Sequence, residues 1–111
     1  VGVVSVKILL VDDNAAILES LHAALAPAGY CCVKFTDPEA AVAAYRPGEF
    51  DVVITDIRMP RLSGIEVLKR VRLVDPQAKV IIIHGFWGGK DGHRGGEQRS
   101  LRFFRETLRF Y

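Results

Sequence analysis

Three aspartates stand where their chemistry would be shared. Asp12 and Asp13 close the apolar run VKILLV, and Asp56 closes the run DVVIT. If the two runs are neighbouring strands, three carboxylates meet at one sheet edge. Like charges at that separation repel and raise one another's pKa unless something neutralises them. A hard divalent cation with oxygen ligands does so, and Mg²⁺ suits one or two carboxylates, waters and a phosphate. Such a cation can offset the charge of an incoming phosphoryl group. A carboxylate beside it can then act as nucleophile and form an acyl phosphate. Any one of these aspartates alone would be a solvated strand-end cap; three at the ends of two apolar strands point to a metal site.

The elements that must position them follow from periodicity. Residues 6–11 read as a buried strand. Asn14 can cap a helix whose apolar residues Ile17, Leu18, Leu21 and Leu25 have helical spacing, with Pro27 and Gly29 ending it. YCCVKF, residues 30–35, is a second strand. Asp37 and Pro38 form an N-cap and first-turn pair that opens a short helix to Tyr45, and Pro47-Gly48 turns the chain. Residues 51–56 form a third strand, and a loop spans Pro60 to Gly64. Ile65, Val67, Leu68, Val71 and Leu73 support a third helix, Pro76 breaks it, and KVIII at 79–83 is a fourth strand. Apolar strands alternating with helices imply a doubly wound α/β parallel sheet with right-handed crossovers. Its crevice lies at the carboxyl ends of the strands, where the aspartates stand.

Composition bounds the rest. A chain of 111 residues with half of them hydrophobic fits one domain. No apolar run approaches the roughly 20 residues of a membrane-spanning helix, so no membrane role is expected. Cys31 and Cys32 are adjacent, and strand neighbours face opposite ways, so they read as reduced thiols of a cytoplasmic protein. Residues 1–83 carry nine Lys/Arg against ten Asp/Glu, while residues 84–111 carry six against three. The basic excess belongs to the tail and is no sign of direct nucleic-acid binding by the domain.

The stretches ILLVDDN, DVVITDIRMP and LSGIEVLKRVR resemble the response regulator receiver domain of two-component signalling. The resemblance covers residues 6–83 and rests on the Asp pair, the Asp-x-x-Met-Pro run and Gly64. It implies a flavodoxin-like sheet in the order 2-1-3-4-5. It also implies that Asp56 is phosphorylated by a sensor histidine kinase or a phosphotransfer protein. Asp13 would be a direct Mg²⁺ ligand, Asp12 would act mainly through metal-bound water, and the carbonyl of Arg58 would complete the protein ligands. Such a domain is a phosphoacceptor rather than an enzyme, with at most slow autodephosphorylation. The alternative is a small Mg²⁺-dependent phosphohydrolase with Asp56 as nucleophile. The triplet Asp56-Ile57-Arg58 speaks against the common Asp-x-Asp phosphatase pattern.

The same resemblance exposes a departure. The family places a Ser or Thr after strand four and a Lys-Pro after strand five. Here His84 occupies the first position, and no Lys-Pro follows; Lys90 is the only later lysine. The family's fifth strand and last helices are not visible. Codons for the tail, read from the second base of codon 84, permit T-G-F-G-E-E-R-T-A-I-E-A-V-N-N-G-A-F-D-F-F-E-K-P-F-D-F. That is a receiver ending with both missing residues in place. The chain therefore divides into a flank at 1–5, a receiver core at 6–83 and a tail at 84–111 read as out of frame. As written, phosphorylation-driven switching is expected to be impaired. Rival readings of the tail are weaker. Leu101, Phe104, Leu108 and Tyr111 could form a cationic amphipathic helix. The glycine run lacks P-loop spacing, and His22, His84 and His93 lack metal-ligand spacing.

Overall fold

The computed structural model describes residues 5–83 and the backbone of Arg109–Phe110. Strands β1 (Lys7–Val11), β2 (Cys31–Phe35), β3 (Val52–Asp56), β4 (Val80–Ile83) and β5 (Arg109–Phe110) form one sheet in the order β2-β1-β3-β4-β5. Helices α1 (Ala15–Leu25), α2 (Pro38–Ala44) and α3 (Gly64–Val74) connect the first four strands. These four pair in parallel, as β-branched apolar strands linked by helices should.

The period-two alternation of the strands divides the core between the two faces. Leu9, Val11, Val53, Val80 and Ile82 pack with Ala41 and Tyr45 and with Val67 and Val71 of α3. Ile8, Leu10, Ile54, Ile81 and Ile83 pack with Ile17, Leu18 and Leu21 of α1. Each fully buried aliphatic side chain contributes roughly 2 kcal/mol of transfer free energy, so the central strands β1 and β3 are the rigid base of the molecule. The two strands that carry the aspartates are hydrogen-bonded neighbours, with Val11 opposite Thr55.

Local chemistry fixes the helix starts. The Asn14 side chain accepts from the N–H groups of Ala16 at 2.9 Å and Ile17 at 3.4 Å, so α1 begins directly after the Asp pair. Asp37 accepts from Glu39 N–H at 3.0 Å and caps α2, with Pro38 in the first turn. Ser63 and Glu66 exchange bonds in a capping box at the start of α3. Away from the crevice, the Tyr45 hydroxyl donates to Asp75 Oδ2 at 2.6 Å, and the ring stacks on Phe50, tying the end of α2 to that of α3.

Two sequence expectations are corrected. A two-residue fifth strand does pair with β4, but antiparallel, with Ile81 opposite Phe110 and Ile82 opposite Arg109, so it is not the parallel strand that the resemblance implies. The sheet is thus parallel only through its first four strands. Leu73, counted with the apolar face of α3, is 83 % exposed, because it lies two residues, about 200° of helical rotation, beyond Val71 and so faces away from the stripe that Val67 and Val71 bury. The family's last helices and the tail reading, His84 included, lie outside the described residues except for the backbone of Arg109–Phe110.

Arg61 has φ 73°, and Leu62 N–H donates to the Pro60 carbonyl at 2.8 Å. That bond closes a three-residue γ-turn in the strained left-handed region. The Arg61 guanidinium lies 3.5 Å from Asp37 and 3.7 Å from Glu39, but all three side chains are well exposed and the pairs add little. Arg61→Gly is therefore expected to raise stability by about 1 kcal/mol. Chemical denaturation checks this, and a loss of stability would show that the ion pairs outweigh the backbone strain.

Candidate functional site

The carboxyl ends of β1 and β3 bring Asp12, Asp13 and Asp56 together. One carboxylate oxygen from each lies within 4.8 Å of the others. Asp12 is 2 % exposed and Asp56 9 % exposed, while Asp13 faces solvent. The burial follows from position, since Asp12 and Asp56 continue the two central strands and Asp13 already belongs to the loop.

Electrostatics make this arrangement costly without a counter-charge. Burial pushes the Asp12 carboxyl up to about 7, helped by the charges of Asp56 and Asp13 and opposed by the Asn14 N–H. That N–H donates to Asp12 Oδ1 at 2.8 Å. Burial likewise raises Asp56 to about 6, opposed by the N–H groups of Ile57 and Arg58, with the charge of Asp13 adding to the rise and that of Arg58 subtracting. Among the described residues no cationic side chain forms an ion pair with any of the three, and the more distant charge of Arg58 only partly offsets the repulsion at Asp56. A donor set of three hard oxygens, two of them buried, fits a small divalent cation and fits a soft metal poorly.

Asp56 is held tightly. Its Oδ1 accepts from the Ile57 N–H at 2.8 Å, and the same N–H reaches the Ile83 carbonyl at 3.1 Å. The fully buried Thr55 hydroxyl donates to the Asp56 carbonyl at 3.0 Å. Gly64 N–H donates to the Ile57 carbonyl at 2.9 Å. Arg58, assigned a backbone ligand role by resemblance, is exposed and two residues beyond Asp56.

Sequence reasoning missed Thr55, although a hydroxyl inside an otherwise apolar strand was a visible signal. It named Gly64 only as part of a motif. A Cβ there would run into the Asp56 carbonyl oxygen and would sit 2.9 Å from Ile57 Cα, so the position requires open space rather than a special φ.

An acidic pocket at the carboxyl edge of a doubly wound sheet, with strands 2-1-3-4 parallel and in that order, defines a flavodoxin-like domain. The sequence pattern of the response regulator receiver domain matches residues 8–93, and the chain belongs to that family. The transcriptional regulatory protein FixJ of Bradyrhizobium diazoefficiens is 37 % identical over 78 residues, which make up 70 % of this chain and 38 % of FixJ. The response regulator receiver protein CpdR of Brucella abortus is 35 % identical over 80 residues, 72 % of this chain and 67 % of CpdR. The crystal structure of the response regulator TrrA from Thermotoga maritima, in complex with Mg(2+)-BeF, aligns with a TM-score of 0.68 at 30 % identity. That alignment covers 86 % of this chain and 80 % of TrrA. No helix among the described residues is long and apolar enough to cross a membrane.

Proposed function

We propose that this receiver domain accepts a phosphoryl group on Asp56 from the phosphohistidine of a sensor histidine kinase or phosphotransfer protein. The observation that carries the proposal is the convergence of three carboxylates, two of them buried and raised in pKa, at adjoining strand ends. The Mg(2+)-BeF complex of TrrA supports the same chemistry here. When bound, Mg²⁺ supplies positive charge that neutralises the carboxylates and offsets that of the phosphoryl oxygens. Asp12, Asp13, Asp56 and the Arg58 carbonyl would hold it. An Asp56 carboxylate oxygen attacks phosphorus as the P–N bond to the donor imidazole breaks. The imidazole leaves with the electron pair and takes a proton, and Asp56 keeps the phosphoryl group as an acyl phosphate. The two free cysteines, Cys31 and Cys32, agree with a cytoplasmic setting.

We read residues 6–83 as the part that does this and residues 84–111 as translated out of frame. With His84 at the hydroxyl position and no later Lys-Pro, the chain as written lacks two partners for the phosphoryl oxygens. It should therefore accept phosphate slowly and transmit little. DNA sequencing across codons 80–90 tests the frame. Loss of one base with T-G-F-G following strand β4 supports it, and an unchanged reading overturns it.

The phosphohydrolase reading is separated by stoichiometry. With Mg²⁺ and a small acyl phosphate donor, uptake is expected to saturate at one phosphoryl group per chain, with no sustained turnover of phosphomonoesters. Continuous release of phosphate from a phosphomonoester would contradict the acceptor reading.

A further inference from the structure

The peptide joining Asp56 to Ile57 is held at both of its polar atoms and covered by a residue without a side chain. Its carbonyl oxygen accepts from the buried Thr55 hydroxyl at 3.0 Å. Its N–H is shared between the Ile83 carbonyl at 3.1 Å and Asp56 Oδ1 at 2.8 Å. Gly64, the first residue of α3, lies against this peptide so closely that a Cβ would collide with its oxygen and stand 3.0 Å from its carbonyl carbon. The next carbonyl, that of Ile57, accepts from Gly64 N–H at 2.9 Å.

These contacts have one geometric consequence. The N–H that aims the Asp56 carboxylate belongs to the same rigid plane that Thr55 and Gly64 fix. Tilting the plane swings the carboxylate with it. We propose that Thr55 and Gly64 are positioning residues for Asp56: a buried hydroxyl and a missing side chain that set the orientation of the Asp56–Ile57 peptide and, through it, of the nucleophile. The inference rests on the phosphoacceptor reading for its rate readout, but its geometric content stands apart from it.

Both residues contact the backbone at Asp56–Ile57 rather than the Asp56 carboxylate, so their effect is on alignment. Misplacing a reacting atom by about 1 Å costs on the order of a hundredfold in rate. In Gly64→Ala either the end of β3 or the first turn of α3 must move, because the collision is with backbone. In Thr55→Val the side-chain volume is nearly unchanged and only the hydroxyl bond is lost.

The test uses the full chain and the variants Gly64→Ala, Thr55→Val and Thr55→Ser. Three quantities are read: the denaturation midpoint, the Ile57 amide resonance, and the rate of phosphoryl uptake from a small acyl phosphate with Mg²⁺. Gly64→Ala is expected to slow uptake about a hundredfold in protein that circular dichroism shows to be folded. Thr55→Val is expected to slow it about fivefold and shift the Ile57 amide, and Thr55→Ser to restore both. Uptake in folded Gly64→Ala and Thr55→Val within twofold of the parent, by the scale of about one hydrogen bond, overturns the proposal. If Gly64→Ala does not fold, the Thr55 pair decides alone. If the parent takes up no phosphoryl group, the phosphoacceptor reading fails, and the Ile57 amide still decides. An amide unmoved in Thr55→Val overturns the positioning role, and one shifted in Thr55→Val but restored in Thr55→Ser upholds it.

Discussion

Asp56→Asn is expected to abolish phosphoryl uptake while leaving the fold intact. The amide keeps the shape and can still accept from the Ile57 N–H, which lies 2.8 Å from Oδ1 in the parent. It cannot act as the nucleophile. The loss in rate should exceed about a thousandfold, the scale seen when an attacking group is removed. A second effect runs the other way. Asp56 is buried beside two other carboxylates, and its pKa is raised to about 6. Replacing that charge with a neutral amide should stabilise the metal-free chain at pH 8 by about 1–3 kcal/mol. Residual uptake in Asp56→Asn comparable to the parent would move the nucleophile elsewhere. Unchanged or lower metal-free stability would mean that the carboxylate repulsion is already relieved.

The second large effect is the linkage of pH to stability and Mg²⁺ affinity. Asp12 and Asp56 have folded pKa values of about 7 and about 6, both above the ordinary carboxylate value of 3.8. Between these limits the folded state binds more protons than the unfolded state, so stability falls as pH rises. Their contribution is fully present below about pH 4 and is gone above about pH 7, a loss on the order of a few kcal/mol in the metal-free chain. Glu19, held low by Lys34, works in the opposite sense, but it is fully exposed and its change falls near pH 4 and below. Mg²⁺ is expected to reverse the trend, because a bound cation favours the deprotonated carboxylates and displaces their protons. Its affinity should rise by up to roughly tenfold per pH unit for each proton released below pH 7. Denaturation midpoints at pH 5 and pH 8, with chelator and with Mg²⁺, check both statements. A metal-free chain that is more stable at pH 8 than at pH 5 would contradict them.

The parts of the fold that were legible in sequence are those where one local signal acts alone. The strands were marked by runs such as VVIT and VIII, and the first two helix starts by Asn14 and Asp37, because caps and β-branched runs report short-range physics. The site was legible because two strand ends terminate in carboxylates and only their adjacency had to be supplied. What was not legible depends on contacts distant in sequence. The antiparallel pairing of Arg109–Phe110 with β4 is a choice between partners that the short run LRFY does not encode. Leu73 is different, since its place two residues beyond Val71 already sets it on the far side of the helix from the buried stripe. Gly64 is a glycine because the backbone eight residues earlier passes through the space of its side chain. Arg61 adopts positive φ although glycine would fit better, and no local rule predicts that.

The most direct test of the central claim is to locate the phosphoryl group. The full chain is incubated with Mg²⁺ and a small acyl phosphate donor and then reduced with borohydride, which converts an aspartyl phosphate to homoserine. Peptide mass spectrometry then finds the altered residue. The account predicts homoserine at position 56 alone, present with Mg²⁺ and absent with chelator. Homoserine at position 12 or 13, or none anywhere, would contradict it.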